Sequence, residues 1–192
     1  NLCPVTLELG GKSPAILLDD FPMRTAAERL LFGKCFNAGQ VCTTVDHLYV
    51  PEGKVSAFVD MAKTIIHGRY PTLDTTDYTS IIDERSFNRI TGALQDAKER
   101  GATLVQLIPG KAWDKKTRKI APHVVLNAPA DCELRTREIF GPVLPVIGYT
   151  DLEDVITTIN SGPRPLALYP FSNHKKKIQH LITHVMSGGV PV

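Results

Sequence analysis

Short apolar runs alternate with amphipathic segments along most of this chain, and this alternation restricts the possible fold more than any other feature. Residues 15–18, 47–50 and 143–148 are apolar runs bounded by turn formers, a pattern typical of buried strands. Residues 54–67 and 84–100 instead repeat their apolar side chains at helical spacing. Parallel strands need a crossover connection, usually a helix, so the pattern predicts an α/β fold with an open, largely parallel sheet flanked by helices.

The remaining segments extend the same pattern. Thr25 and Glu28 form a capping-box pattern at the start of one helix, and Gly68 is positioned to end another. Further strands are predicted at 5–9, 103–107, 123–126 and 166–171, and further helices at 25–37, 152–159 and 175–185. A chain of 192 residues can bury one sizeable core, so a single domain is expected.

The charge balance excludes several classes of partner. The chain carries 22 basic and 20 acidic residues, and its net charge of +2 offers no broad attraction for nucleic acid or an anionic membrane surface. The one basic run, Lys175 to Lys177, is interpreted as a solvated helix face. No apolar run approaches the length that spans a bilayer. We therefore expect no nucleic-acid partner and no membrane partner.

The four cysteines, Cys3, Cys35, Cys42 and Cys132, are scattered through the sequence. They form no CxxC pair and show no metal-ligand spacing, so no metal is expected. Scattered thiols in a domain of this size favour a reducing compartment, and the expected location is the cytoplasm.

Cys42 differs from the other cysteines in its local surroundings. It follows the predicted helix at 25–37 and the turn former Gly39, while Thr43 and Thr44 make the next positions polar. The alternative interpretation is a small buried hydrophobe, which is what an arbitrary cysteine most often is. A thiol on a turn between elements can reach a ligand, so Cys42 is a candidate nucleophile.

Glu8 is a lone carboxylate within the apolar strand predicted at 5–9. Burial raises the pKa of a carboxyl group and so suits it to general-base chemistry near neutral pH. The alternative is a strand-edge glutamate that points into water. The double glycine Gly10-Gly11 that follows indicates a close approach by another group to this backbone.

A third candidate segment is the run from Glu138 to Val143, in which an acid and Phe140 precede a Gly-Pro break. The break places both side chains on a loop that enters a strand. Taken alone, this pattern favours a plain turn.

The stretches around Cys42 and Glu8 resemble, position by position, the two signature motifs of the NAD(P)-dependent aldehyde dehydrogenases, in that family's order and at about its separation. The run from Glu138 to Val143 is similar to the family's E-x-F-G-P element. The resemblance implies that Cys42 attacks the aldehyde carbon and that Glu8 activates the water that hydrolyses the thioester.

The same resemblance implies NAD or NADP as the cofactor. It places Glu138 at the nicotinamide ribose hydroxyls and Phe140 near the nicotinamide ring. Leu9 and Gly10, next to Glu8, are taken as further cofactor contacts.

Residues 1–192 correspond as a whole to the catalytic domain of such an enzyme, and the resemblance implies that the Rossmann-like cofactor domain and the C-terminal arm lie outside this chain. The runs 77–83 and 165–169 are similar to the family's class 3-like branch, with the bacterial coniferyl aldehyde dehydrogenases as the nearest group. One departure is Val45-Asp46-His47, where that branch usually has Pro-Asp-Tyr.

The resemblance therefore implies oxidation of an aromatic, coniferyl-type aldehyde to the carboxylic acid by a full-length homodimer, with the isolated chain inactive. A second interpretation keeps the nucleophilic cysteine but transfers the acyl group to phosphate or coenzyme A. The presence of Glu8 disfavours it, because acyl transfer does not require an activated water. A third interpretation is a non-catalytic α/β assembly domain, which a cofactor-binding measurement distinguishes from the first.

Overall fold

The computed structural model describes residues 3–4 and 11–191, and these form a sheet with helices on both faces. The strands are β1 (Pro14–Leu17), β2 (His47–Pro51), β3 (Thr103–Gln106), β4 (Trp113–Asp114), β5 (Lys119–Ile120), β6 (His123–Leu126), β7 (Val143–Tyr149) and β8 (Tyr169–Phe171). The α-helices are α1 (Met23–Cys35), α2 (Val55–Arg69), α3 (Glu84–Glu99), α4 (Glu133–Thr136), α5 (Leu152–Ser161) and α6 (Lys175–His184).

The main sheet has the strand order β3-β6-β7-β2-β1-β8. Every pairing in it is parallel except that between β3 and β6, which is antiparallel at one edge of the sheet. Strands β4 and β5 form a separate two-stranded ribbon. The predicted fold class, an open and largely parallel sheet flanked by helices, is confirmed.

Successive residues of β1 belong to two different hydrophobic cores. Ala15 and Leu17 belong to the larger core, which α1, α2 and α3 cover. Ile16 belongs to the smaller core, which α5 and α6 cover. Since successive side chains of a strand point to opposite faces, the two helix layers lie on opposite sides of the sheet.

Helix α3 shows how closely local sequence and structure agree here. Its apolar stripe is buried as predicted, at Phe87, Ile90, Leu94 and Ala97. The Asp83 side chain caps its start by accepting a hydrogen bond from the Ser86 amide at 2.7 Å.

Three local predictions were wrong or too long. Helix α1 begins at Met23, so Thr25 lies inside it and does not cap it. Pro22 occupies the capping position instead: its ring fixes its φ angle, and its carbonyl accepts a hydrogen bond from the Ala26 amide. Gly68 lies within α2, where its surroundings are open and no turn is required. The strand predicted at 166–171 begins at Tyr169, and the strand predicted at 5–9 lies outside the described residues.

Across residues 3–4 and 11–191, none of the helices combines the length and the apolar character needed to cross a bilayer.

Candidate active site

Two predicted site segments and Lys12 come together where three neighbouring strands of the sheet begin. Cys42 lies a few residues before β2, the segment from Glu138 to Phe140 lies just before β7, and Lys12 lies just before β1. These three strands are parallel neighbours in the order β7-β2-β1. The segments that enter parallel neighbours meet at the same edge, so residues far apart in sequence come together there.

Cys42 lies on an exposed turn, and the residues just before it have an unusual backbone conformation. Asn37, Ala38 and Gly39 have φ angles of 49°, 52° and 75°, a left-handed run that only glycine adopts without strain. A tight turn follows, in which the Thr44 amide donates to the Val41 carbonyl at 3.0 Å. Residues 36–44 are called the cysteine turn below, and they present the Cys42 thiol to solvent.

The other thiols have different environments. Cys35 is buried in α1, and burial raises the pKa of its thiol to about 12, so it holds its proton at physiological pH. Cys132 is buried as well, whereas Cys3 is exposed. Exposure on a turn between elements therefore distinguishes Cys42 from both buried thiols.

Glu138 and Phe140 lie on a segment whose backbone is held from several sides, and residues 137–142 are called the Phe140 loop below. Arg89 on α3 donates to the Glu138 carbonyl at 3.4 Å and to the Ile139 carbonyl at 2.6 Å. Asp46 accepts from the Ile139 amide at 2.8 Å. With φ of 48°, Phe140 is also left-handed, and its ring is 37% exposed. The loop backbone is thus fixed, while Glu138 is half-buried and Phe140 is exposed.

The cysteine turn and the Phe140 loop pack directly against each other through two glycines. A Cβ atom added to Gly39 would lie 2.3 Å from the carbonyl oxygen of Gly141, closer than atoms approach without displacement. Only glycine at position 39 therefore allows this contact, which places the thiol-bearing turn beside the loop that carries Glu138.

A cluster of buried and half-buried charges connects the segments that precede β1, β2 and β7. The Lys12 ammonium forms an ion pair with Asp46 and also donates to the carbonyls of Leu134 at 3.1 Å and Arg137 at 3.0 Å. Lys34, from α1, donates to the Val45 carbonyl at 2.9 Å. Lys12 thus ties the segment before β1 to the Phe140 loop.

Burial and charge perturb the titration of this cluster in opposite directions. Burial alone raises the pKa of the Asp46 carboxyl, but the neighbouring His47 imidazole and the charges of Lys12 and Lys34 outweigh it and hold that pKa well below its usual range. Burial lowers the pKa of Lys34 to about 8, although the Asp46 charge opposes this. Burial also lowers the pKa of His47, whose Nδ1 lies 3.5 Å from Asp46 and forms no hydrogen bond with any of the described residues.

A groove of about 370 Å³ lies beside the cysteine turn. It is lined by Thr43 and Thr44 and by the aromatic side chains Phe21, Tyr169 and Phe171. The Tyr169 hydroxyl donates to the Thr43 carbonyl, so the wall of the groove is attached to the turn itself. Burial raises the pKa of that hydroxyl, which therefore stays protonated near neutral pH.

The structure brings together Cys42, Glu138 and Phe140 from the predicted set. Glu8, Leu9 and Gly10 lie outside the described residues. Sequence reasoning missed Lys12 and Asp46, although a charged residue beside an apolar strand is a signal of a buried ion pair. It also missed Arg89, which lies next to the apolar stripe of α3 and carries no signal of its own.

Comparison with known proteins agrees with this geometry. Residues 1–192 match the model of the aldehyde dehydrogenase family. A probable coniferyl aldehyde dehydrogenase of Pseudomonas aeruginosa is 48% identical over 191 residues, which are 99% of this chain and 39% of that protein. The chain thus spans about two fifths of the length of this relative.

Solved structures show the same relationship. The substrate-bound state of Staphylococcus aureus AldH has a TM-score of 0.89 at 32% identity, covering 98% of this chain and 40% of the other. An NADP-dependent glyceraldehyde-3-phosphate dehydrogenase from Bacillus halodurans, complexed with NADP, has a TM-score of 0.85 at 29% identity, covering 95% of this chain and 38% of the other.

Proposed function

Since the chain belongs to the aldehyde dehydrogenase family, we propose that it supplies the nucleophile and the nicotinamide side of the cofactor site to an enzyme that oxidises an aldehyde to a carboxylic acid. The observation that carries this proposal is the packing of the exposed Cys42 turn against the Phe140 loop. It combines a reachable thiol with a loop whose backbone is held in place and which carries a carboxylate and an aromatic ring.

Cys42 begins the proposed reaction as a thiolate. Its sulfur attacks the aldehyde carbon, a C–S bond forms, and the carbonyl oxygen becomes an oxyanion. The backbone N–H of Cys42 is a donor for that oxyanion, because it donates to no other group among the described residues. The attacked carbon then loses hydride and becomes a thioester on Cys42.

Bound NAD(P)⁺ supplies the hydride acceptor for this step. The Phe140 loop fits such a group, since a carboxylate suited to ribose hydroxyls and an exposed ring suited to a flat heterocycle stand two residues apart. Contacts with Asp46 and Arg89 hold the backbone of Ile139, which lies between the residues that carry this carboxylate and this ring. The NADP complex of the Bacillus halodurans relative supports this assignment.

Glu8 completes the proposed cycle as the base that removes a proton from water. The resulting hydroxide adds to the thioester carbon, and the thiolate of Cys42 leaves with release of the carboxylic acid. The family motif supports this role.

The proposed substrate is an aromatic aldehyde of the coniferyl type. The similarity to the probable coniferyl aldehyde dehydrogenase of Pseudomonas aeruginosa supports it, as does the aromatic groove beside the cysteine turn. Phe32 on α1 and Phe36, the first residue of the cysteine turn, are both exposed and add apolar surface there.

We also propose that residues 1–192 act as the catalytic domain of a homodimeric enzyme in the cytoplasm. Strand β8 supports self-association, because it is the outermost strand of the sheet among the described residues and an exposed strand edge is a template for pairing.

Acylation of the chain by p-nitrophenyl acetate tests the nucleophile without any cofactor. With Cys3 replaced by serine, intact mass should increase by one acetyl group and peptide mapping should find it on Cys42. The matched Cys42→Ser variant should gain no acetyl group. Equal acylation of both variants would contradict the proposal.

A further inference from the structure

The cysteine turn holds a conformation that its own residues do not favour. Asn37 and Ala38 both carry a Cβ atom, yet both have φ angles near 50°. Left-handed backbone costs free energy in any residue with a Cβ, and two such residues in succession do not persist unless surrounding contacts hold them. Some group must therefore stabilise this turn.

The Gln40 side chain is that group. Its Nε2 donates to the Asn37 carbonyl at 2.9 Å and to the Ser80 carbonyl at 3.1 Å, and its Oε1 accepts from the Ile82 amide at 2.8 Å. Both amide protons and the carbonyl oxygen of the side chain are thus used. In return, the Asn37 side chain donates to the Gln40 carbonyl at 3.1 Å, which closes the turn from the other side.

The partners of Gln40 connect the cysteine turn to the rest of the site. Ser80 and Ile82 lie immediately before Asp83, which caps α3. The same helix carries Arg89, whose guanidinium holds the carbonyls of the Phe140 loop. Gln40 therefore attaches the thiol-bearing turn to the helix that also positions Glu138.

We propose that Gln40 is a positioning residue for Cys42: it holds Asn37 and Ala38 in the left-handed region, and thereby fixes the thiol relative to the Phe140 loop. The inference rests on the proposed function only in taking Cys42 as the nucleophile. If Gln40 instead had only a structural role, the effect of removing its side chain would not depend on which residue adopts the left-handed conformation at position 38.

Glycine at position 38 separates these two roles. Ala38 is buried, so Ala38→Gly removes a packed methyl group. If Gln40 only stabilises the fold, this loss should lower the free energy of unfolding further in the Q40A protein. If the left-handed conformation is what Gln40 maintains, glycine adopts it without help and should restore the turn in a protein that lacks the Gln40 side chain.

The experiment uses four proteins on a Cys3→Ser background: the parent, Q40A, A38G and the double variant. Hydrogen exchange of the Thr44 amide reports on opening of the turn, and the rate of Cys42 acylation by p-nitrophenyl acetate reports on alignment of the thiol. We expect Q40A to accelerate exchange and to slow acylation by about tenfold each, since three hydrogen bonds are lost. The double variant should recover most of both changes.

Gln106→Ala is the matched control. Gln106 also donates through its side-chain amide to loop carbonyls, those of Ile108, Gly110 and Lys111, but it lies on β3 at the edge of the sheet. Its replacement should leave Thr44 exchange and Cys42 acylation unchanged after correction for global stability.

Two outcomes would overturn the inference. One is a Q40A protein whose Thr44 exchange matches the parent, and the other is a double variant more perturbed than Q40A. Absence of acylation in the parent would count against the proposed function alone, because the exchange measurements do not depend on the chemistry of Cys42.

Discussion

Replacing Gly39 by alanine tests the contact that joins the cysteine turn to the Phe140 loop. The new Cβ would lie 2.3 Å from the Gly141 oxygen and 3.0 Å from the Lys34 oxygen, both of which belong to backbone that cannot rotate away. The φ of +75° adds a left-handed cost of about 1–2 kcal/mol. Overpacking adds about 1–3 kcal/mol. The free energy of unfolding should therefore fall by about 2–5 kcal/mol.

Urea unfolding followed by circular dichroism measures this change, with Gly92→Ala as the control. Gly92 lies within α3, and an added Cβ there meets nothing within 4 Å. The same substitution should raise the free energy of unfolding by about 0.5–1 kcal/mol at that site. A Gly39→Ala protein as stable as the parent would refute the argument, because the two segments could not then pack at the distance described.

Four further outcomes are expected. Limited alkylation with iodoacetamide should label Cys42 and the exposed Cys3 in the folded protein, while the two buried cysteines react only after unfolding; early labelling of a buried thiol would contradict the assignment. The Lys34 ammonium has a pKa lowered to about 8 from an ordinary 10.5, so the folded state loses its proton first, and across that interval the free energy of unfolding of the parent should rise with pH relative to that of Lys34→Met. Asp46→Asn should lower the free energy of unfolding at pH 7 by about 3–5 kcal/mol, since Lys12 loses its partner. Because the pKa of Asp46 is held low, its contribution is present above about pH 4 and lost on acidification, so the two proteins should converge in acid. Calorimetric titration of residues 1–192 with NAD⁺ should show no saturable binding at millimolar concentration; a clear micromolar isotherm would show that these residues suffice to bind the cofactor.

Much of the fold follows from local patterns in the sequence. Hydrophobic periodicity predicted the layers of the sheet because burial on one face requires that spacing, as the stripe of α3 shows. The position of Cys42 on a turn after a helix could also be predicted, because the residues that favour a turn act on their own local backbone.

The contacts that hold the site could not be predicted from the sequence, because they join residues that are far apart in the chain. Asp46 meets Lys12 across 34 residues and the Ile139 amide across 93, and no local propensity encodes such pairings. The left-handed backbone at Ala38 is likewise a tertiary effect, because contacts from distant residues override an intrinsic preference. The start of α1 was missed because Pro22 supplies an entry that a capping-box pattern does not describe.

The convergence of three strand entries also has a consequence for synthesis of the protein. Cys42 precedes β7 by roughly a hundred residues, which a ribosome adds in about 5–20 s. Throughout that interval the thiol belongs to a nascent chain whose Phe140 loop does not yet exist, and it is open to oxidation or to adduct formation. We therefore expect a reducing environment during translation to protect the proposed nucleophile before the Phe140 loop has been made.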